Sequence, residues 1–162
     1  MLTLPCWAWP RRWRSPARRL ACFPAFRPLR IQVLSLARDW REVRIRLPLN
    51  AANRNPGGGM FGGVVAALAD PIPALACNRV FPGHSVWTRA MQLDFRREGR
   101  SDLELRFVLD PTQEAAIRDE LARRGRATPR FEFGFWDTAG RLCVQVNNTV
   151  AIRPDGYLPP SR

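Results

Sequence analysis

The sequence contains no lysine and only one histidine, His84, in 162 residues. All 26 basic residues are arginines, and against 14 acidic residues they give a formal net charge of +12. The excess is concentrated near the start, because residues 1–30 hold seven arginines and no acid, which leaves the rest with about five positive charges in excess. Such scattered arginines are more typical of a solvated surface than of a nucleic-acid interface, although they also suit an anionic ligand.

Cysteine is also scarce, and Cys6, Cys22, Cys77 and Cys143 are far apart, with no CxxC pair. With a single histidine, this spacing does not match a zinc site, and no metal is expected. Cys77 and Cys143 lie in apolar runs, which suits small buried hydrophobic side chains in a reducing compartment and predicts a cytoplasmic protein. No apolar stretch approaches 18 uninterrupted residues, so no membrane span is predicted.

The length predicts one domain with a hydrophobic core of its own. Residues 1–28 mix Trp, Arg and Pro without period and are predicted to be a tail without regular structure, followed by a domain over 29–155 and a short tail over 156–162. Tryptophans at positions 7, 9 and 13 among arginines leave open weak contact of this tail with a membrane surface, or stacking on bases.

From Ile31 the pattern is regular. Alternating IQVLSL and WREVRIRLPL predict strands, and MFGGVVAALADPIPALAC is apolar on all sides for over four turns, which predicts a buried helix. Downstream, SVWTRAMQLDF and SDLELRFVL read as strands linked by a polar turn, PTQEAAIRDELARRG as a surface helix, and RFEFGFW with LCVQVNNTVAI as a hairpin. The order predicts an α+β domain in which an antiparallel sheet carries one long helix on its inner face.

Asp70 is the only charged residue between Phe61 and Cys77, so folding is expected to bury or nearly bury its carboxylate. A carboxylate beside a ligand cleft suits a general base or nucleophile. The alternative is that Asp70 caps a second helical segment that begins at Pro71. Pro71 and Pro73 also remove two backbone donors, which predicts a kink at this point.

Gly62 and Gly63 stand at the predicted start of the helix, where free N–H groups can hold an oxygen that gains negative charge. The alternative is close packing of helix on sheet, for which glycine is equally suited. Asn55 precedes Pro56 and either contacts a substrate or fixes the turn.

The segment from Asn55 to Asp70, NPGGGMFGGVVAALAD, resembles the signature of hotdog-fold thioesterases of the phenylacetyl-CoA type. The segments DWREVRIRLPLNAANRN, SVWTRAMQLDF and NTVAIRP resemble an uncharacterised bacterial thioesterase-like branch of that superfamily. The resemblance implies a hotdog fold, a long central helix wrapped by a curved antiparallel sheet. It also implies an acyl-CoA thioesterase without a cofactor, with a coenzyme A thioester as substrate, that forms a homodimer or a dimer of dimers.

On the same basis, Asp70 is expected to be the base or nucleophile, Asn55 to assist, and the amides of Gly62 and Gly63 to hold the carbonyl. Met60 and Phe61 are expected to contact the substrate. One further cluster either meets the phosphates of coenzyme A or is simply a solvated loop, and it consists of Asn53, Arg54, Arg96, Arg97 and Arg100. Phe61 stands where the phenylacetyl-CoA type has a histidine, which keeps open a second possibility, a non-catalytic protein that binds acyl-CoA or lipid.

Overall fold

The computed structural model describes residues 15–157. The order of its elements along the chain is α1 (Pro16–Ala21), β1 (Gln32–Leu36), β2 (Glu42–Leu47), α2 (Gly62–Ala69), α3 (Pro71–Val80), β3 (His84–Phe95), β4 (Leu103–Val108), α4 (Pro111–Arg124), β5 (Arg130–Trp136) and β6 (Leu142–Pro154). Within this range, no helix combines the length and the apolar character needed to cross a membrane.

The six strands form one antiparallel sheet in the order β1-β2-β4-β5-β6-β3. The alternation in β2 is that of a half-buried strand, because Val43, Ile45 and Leu47 are fully buried while the arginines between them face solvent. β5 and β6 form the predicted hairpin. β3 lies at one edge, where it pairs with β6 along its whole length.

Helices α2 and α3 carry the apolar side chains that cover the inner face of the sheet. Leu68, Ile72 and Cys77 are fully buried there. The sheet contributes a cluster of aromatic rings, in which Phe107 meets Phe131 and Phe133 edge to face at centroid distances of 5.7 Å and 5.6 Å. The predicted pairing of one helical layer with one sheet is therefore confirmed.

The prediction that this helix is buried on all sides is wrong for the single chain. Gly63, Ala67 and Asp70 are exposed and follow one another at helical spacing, so they form one stripe that faces away from the sheet. The sheet covers only one side of the helix, and no other described element covers this stripe. The carboxylate of Asp70 is accordingly exposed, not buried as expected.

β3 and β4 do not form a hairpin, although they are adjacent in the sequence. β4 lies between β2 and β5, so residues 96–102 cross from the edge of the sheet to its middle. This crossing is what brings the segment after β3 next to the loop that precedes α2, where the backbone N–H of Met60 donates to the carbonyl of Gly99 at 2.7 Å.

Residues 15–28, predicted to be part of an unstructured tail, carry α1 and two buried side chains, Leu20 and Phe26. Leu20 and Phe26 lie six residues apart in a segment without a regular period, so periodicity did not reveal that they join the core. The rest of the predicted N-terminal tail, with its three tryptophans, lies outside the described residues, as do residues 158–162.

The predicted surface helix is α4, whose first turn is capped by the carboxylate of Asp110 and whose end is marked by Gly125 in the left-handed conformation at φ 64°. Glu114 on this helix is bound by Arg41 at 2.6 Å and by Arg118 at 2.6 Å. The pair with Arg41 attaches α4 to the residue before β2, whereas the pair with Arg118 lies within the helix. The hydrogen bonds from Arg41 in particular lower the pKa of Glu114.

Candidate active site

The structure brings together five of the predicted site residues in one cleft of about 390 Å³ beside the start of α2. These five are Asn55, Met60, Gly62, Arg96 and Arg97. Six lining residues were not predicted, namely Val65, Phe95, Glu98, Gly99, Leu103 and Val144. We refer to this space as the Asn55 cleft. Gly63, Phe61, Arg54 and Asp70 are not among its lining residues.

The turn before α2 fixes the position of Asn55. Its side-chain oxygen accepts a hydrogen bond from the N–H of Gly59 at 3.1 Å, and its backbone N–H donates to the carbonyl of Gly59 at 2.8 Å. The structure therefore supports the alternative in which Asn55 fixes the turn, and it also places the side chain in the cleft wall. Gly59 suits this turn, because a Cβ there would lie 2.7 Å from the carboxylate of Glu98.

Helix α2 begins at Gly62 with its first amides open. Phe61 is the N-cap residue, and no side chain caps the helix. At such a start the first N–H groups have no partner within the helix. Those of Gly62 and Gly63 donate to no acceptor in the part of the chain that the structure describes. Two amide donors at the positive end of a helix are suited to hold an oxygen that gains negative charge.

Two exposed aromatic rings flank these amides. Phe61 and Phe95 are 52% and 55% exposed, which is unusual for large apolar side chains. A Cβ at Gly62 would lie 3.0 Å from the ring of Phe95, and a Cβ at Gly63 would lie 2.6 Å from the ring of Phe61. Glycine at both positions therefore lets each ring lie directly over the helix start, which leaves an apolar surface on either side of the amides.

Asp70 occupies the single residue between α2 and α3, where the helix is interrupted as predicted before Pro71. Its backbone is helical, with φ −51° and ψ −57°, and its side chain makes no capping hydrogen bond. The alternative that Asp70 acts as a helix cap is therefore wrong. A capping side chain requires the extended backbone of a typical N-cap residue, which Asp70 does not have.

The backbone of Asp70 is held by two side chains of the sheet. Its carbonyl accepts from the hydroxyl of Thr88 on β3 at 2.8 Å and from the amide of Asn148 on β6 at 3.0 Å. Asn148 is fully buried, and its side-chain oxygen has no hydrogen-bond partner among the described residues. These two bonds fix where the helix is interrupted and hence where the exposed carboxylate of Asp70 lies.

The residues proposed to meet phosphates fall into three groups. Asn53 is fully buried, and its amide donates to the carbonyls of Leu29 and Pro48 at 2.8 Å and 2.9 Å, so its proposed contact with a phosphate is wrong. Arg96 and Arg100 are exposed and pair with carboxylates two residues away, Asp94 at 3.0 Å and Glu98 at 2.8 Å.

Arg54 and Arg97 are exposed as well, and only Arg97 lines the Asn55 cleft. With Arg96 held by Asp94 and with Glu98 in the wall, the cleft has little excess of positive charge. Its wall is therefore better suited to a neutral group than to several phosphates.

The sequence holds only weak signals for the six residues that line the Asn55 cleft and were not predicted. Phe95 is the last residue of a strand and directly precedes Arg96, a predicted site residue. This position was the one sign in the sequence that Phe95 could line the site. Leu103 and Val144 come from strands far away in sequence, and Thr88 and Asn148 sit within alternating strand patterns. Their roles depend on strand order, which the sequence did not reveal.

An antiparallel sheet that carries one interrupted helix on its inner face, with a glycine-rich turn at the helix start, is the arrangement of the hotdog fold. Comparisons with solved structures confirm this class. A protein of unknown function from Pseudomonas aeruginosa, described as a probable thioesterase, matches with a TM-score of 0.71 and 24% identity over 82% of this chain and 88% of that chain. A thioesterase from Haemophilus influenzae matches with a TM-score of 0.65 and 18% identity over 86% of this chain and 89% of that chain.

A mutant of the phenylacetic acid degradation protein PaaI from Thermus thermophilus matches with a TM-score of 0.58 and 24% identity, over 80% of this chain and 98% of that chain. These likenesses establish the fold. Residues 15–152 match the family described as Domain of unknown function (DUF4442), and the chain belongs to that family. A search among curated proteins gave no match.

Proposed function

We propose that this protein hydrolyses acyl thioesters of coenzyme A, with the thioester carbonyl bound at the start of α2. The observation that carries the proposal is the pair of open amides at Gly62 and Gly63 beside the Asn55 cleft. A thioester oxygen gains negative charge when its carbon is attacked, and amides placed in advance stabilise that charge without reorganisation. The description of several structural neighbours as thioesterases agrees with this function.

Asp70 supplies the carboxylate, and it acts on a thioester bound by a second copy of the chain. Asp70 is eight residues beyond Gly62, which corresponds to roughly 12 Å along a helix, too far for one water molecule to bridge the two. The stripe of Gly63, Ala67 and Asp70 is exposed, and Asp70 lies beside β3, an edge strand, because its carbonyl accepts from the hydroxyl of Thr88 on that strand. A dimer that joins two such edges places Asp70 of one protomer near the amides of the other.

In the proposed reaction, the oxygen of water attacks the thioester carbon while the Asp70 carboxylate takes one proton from that water. The carbonyl oxygen becomes an oxyanion held by the amides of Gly62 and Gly63. When the carbonyl reforms, the carbon–sulfur bond breaks and the proton on Asp70 passes to the leaving thiolate. The products are a free acid and a thiol, and the side chain returns to its starting state. Direct attack by Asp70 would give the same products by way of an anhydride that water then hydrolyses.

The acyl group is proposed to lie against Phe61 and Phe95. Both rings are exposed in the single chain, and both stand directly beside the two amides. An apolar chain bound there removes exposed apolar surface from water, which favours binding.

The first experiment measures thiol release from a panel of acyl-CoA esters of increasing chain length. We expect turnover with at least one ester, and we expect Asp70→Asn to lower kcat/KM about a hundredfold or more, because it removes the base and keeps the shape. Asp119→Asn is the matched control, since Asp119 is an exposed carboxylate on α4, far from the cleft in the sequence. Equal rates for wild type and Asp70→Asn on every ester would contradict the mechanism.

A second experiment tests whether two copies share one site. Asn55→Ala and Asp70→Asn are each expected to inactivate their homodimers. After subunit exchange, a mixed dimer contains one site with both native residues, so the mixture should regain about a quarter of the wild-type rate. A mixture that stays inactive, although mixed dimers are present by mass spectrometry, would contradict a shared site.

One observation favours a second function, in which the protein binds acyl-CoA without turnover. Phe61 offers no hydrogen bond to a thioester at the position next to the open amides. In that case acyl-CoA would raise the melting temperature, since a ligand that binds the folded state stabilises it, but no thiol would be released.

A further inference from the structure

A second and larger depression meets α3, the part of the helix that follows Asp70 in the chain. It has a volume of about 700 Å³ and is formed by three segments, α1 with the residues that follow it, the turn between β1 and β2, and the outward face of α3. From α3 it is lined by Pro71, Leu75, Asn78 and Arg79, which share one helical face by their spacing. We refer to it as the basic groove.

The charge of the basic groove is of one sign. Arg19, Arg38 and Arg79 line it, and no acidic residue is among the described residues of its lining. None of these three side chains forms a salt bridge with a carboxylate in the described part of the chain. The nearest acid in sequence to Arg38 is Asp39, and its carboxylate is already bound by Arg41 at 2.8 Å. Three guanidinium groups without carboxylate partners are suited to phosphoryl groups.

Aromatic side chains stand among these arginines. Phe23 is 52% exposed, and Trp40 is half-buried in the wall of the groove. Trp40 adopts a left-handed backbone conformation with φ 63°, in a turn closed by its N–H to the carbonyl of Ala37 at 2.9 Å. This conformation is strained for a side chain of that size, and such strain occurs preferentially at binding sites. A flat aromatic surface next to cations suits a nucleobase that carries phosphates.

The groove also has the right position relative to the proposed reaction. Pro71, which lines it, directly follows Asp70, and Arg79 is nine residues beyond Asp70, roughly 14 Å along a helix. The pantetheine arm of coenzyme A joins a reacting sulfur at one end to a diphosphate and a phosphorylated adenosine at the other. An extended arm spans the distance from Asp70 to the arginines.

We propose that the basic groove binds the 3′-phosphoadenosine diphosphate part of coenzyme A, with its phosphoryl groups on Arg19, Arg38 and Arg79 and its adenine against Trp40 and Phe23. This inference rests on the proposed function, to which it adds the place where the nucleotide of coenzyme A binds. The nucleotide therefore binds on the protomer that supplies Asp70, and not on the arginines of the Asn55 cleft.

Calorimetric titration of the full chain with adenosine 3′,5′-bisphosphate, coenzyme A and pantetheine tests the proposal. The first two ligands should bind, and pantetheine, which has no phosphate, should bind at least tenfold more weakly than coenzyme A. Arg38→Gln and Arg79→Gln should each weaken coenzyme A binding about tenfold. Arg123→Gln is the matched control, since Arg123 is an exposed arginine in the last turn of α4 and does not line the groove.

Kinetics separate this inference from the proposed function. Arg79→Gln should raise KM for an acyl-CoA about tenfold and leave the hydrolysis of the corresponding acyl-N-acetylcysteamine, which lacks the nucleotide, unchanged. Unchanged KM for acyl-CoA in both arginine variants would overturn the nucleotide site while the hydrolase stands. Loss of coenzyme A binding in these variants, without hydrolysis of any ester by the wild type, would support the site and overturn the hydrolase. Competition of decanoate with the bisphosphate would assign the groove to the acyl chain and overturn the proposal.

Discussion

The Asn55 cleft meets the first part of the interrupted helix, α2, and the basic groove meets its second part, α3. The two differ in charge and in the segments that form their walls. The cleft combines Arg96 and Arg97 with Glu98, and a tight turn and open amides form its wall. The groove has three arginines and no acid among its described lining residues, and its walls come from three separate segments. The comparison indicates that a rigid and nearly neutral site suits the reacting carbonyl, whereas a basic surface suits a charged part of the substrate that does not react.

The largest effect is expected from a change in the cleft that removes one amide proton. Gly62 is the first residue of α2, a position where proline fits a helix, and the extended backbone of Phe61 suits a residue before proline. Gly62→Pro should keep the fold and lower kcat about a hundredfold, because one donor to the oxyanion is lost. Gly62→Ala is the control, since it adds a methyl group but keeps the N–H. An equal loss of kcat in both variants would show that the added side-chain atoms, and not the missing N–H, cause the loss.

An intermediate effect is expected where the two regions meet, at Asp70. Thr88→Val and Asn148→Leu each remove one donor to the carbonyl of Asp70 and should each lower the free energy of unfolding by about 1–2 kcal/mol. If the bonds also position the carboxylate, kcat should fall more than KM changes, and coenzyme A binding should be unaffected. Ser85→Ala is the control, because Ser85 is on β3 but its hydroxyl bonds to Asp155. A change in stability alone would assign Thr88 and Asn148 a structural role.

A smaller effect is expected from the salt concentration, which should weaken substrate binding at the basic groove more than at the Asn55 cleft. Raising the salt concentration from about 0.05 M to about 0.5 M screens exposed charges and should raise KM for an acyl-CoA several-fold. Hydrolysis of acyl-N-acetylcysteamine, which only the cleft binds, should respond little. Parallel rate measurements on the two substrates check this. The same salt dependence for both would mean that the groove does not contribute to substrate binding.

The smallest effect concerns the turn that carries Arg38 and Trp40. Arg41 hydrogen-bonds Glu114, and its backbone N–H and side chain bind Asp39, and these contacts lower the pKa of both carboxyl groups. A lowered pKa means that each group stabilises the fold above its ordinary pKa, and that this contribution is lost as the pH falls through the folded value. The free energy of unfolding should therefore fall as the pH drops below the ordinary pKa of these carboxyl groups, and less steeply in Glu114→Gln. Urea unfolding of both proteins across this pH range provides the measurement, and identical slopes would contradict the assignment.

Much of the fold could be predicted from local patterns. The alternation of Val43, Ile45 and Leu47 fixed one face of β2, and Pro111 with Gly125 marked the ends of α4. Asn55, Met60 and Gly62 were predicted together because the turn and the helix start lie within eight residues of the chain. Arg96 and Arg97 reach the same cleft from beyond β3, because residues 96–102 cross the sheet. They were proposed as contacts of phosphates, and their place in this cleft was not predicted.

The environment of Asp70 was not predictable in the same way. A helix made of small apolar residues gives no periodic sign of which side the sheet will cover, so the expectation of a buried carboxylate and the alternative of a helix cap were both wrong. The buried side chains of residues 15–28 were missed for a similar reason, because Leu20 and Phe26 have no regular spacing. In both cases the missing information is which distant surface each segment meets.

The sequence by itself determined the alternating strands, the glycine-rich start of α2 and its interruption before Pro71, because these depend on side-chain period, on the conformational freedom of glycine and on the missing N–H of proline. Only the tertiary structure decided that Asp70 is exposed on a stripe of α2, that Thr88 and Asn148 hold its carbonyl, and that three arginines from distant segments share one groove. Those relations depend on strand order and on which face of the helix meets the sheet, and no local pattern encodes either.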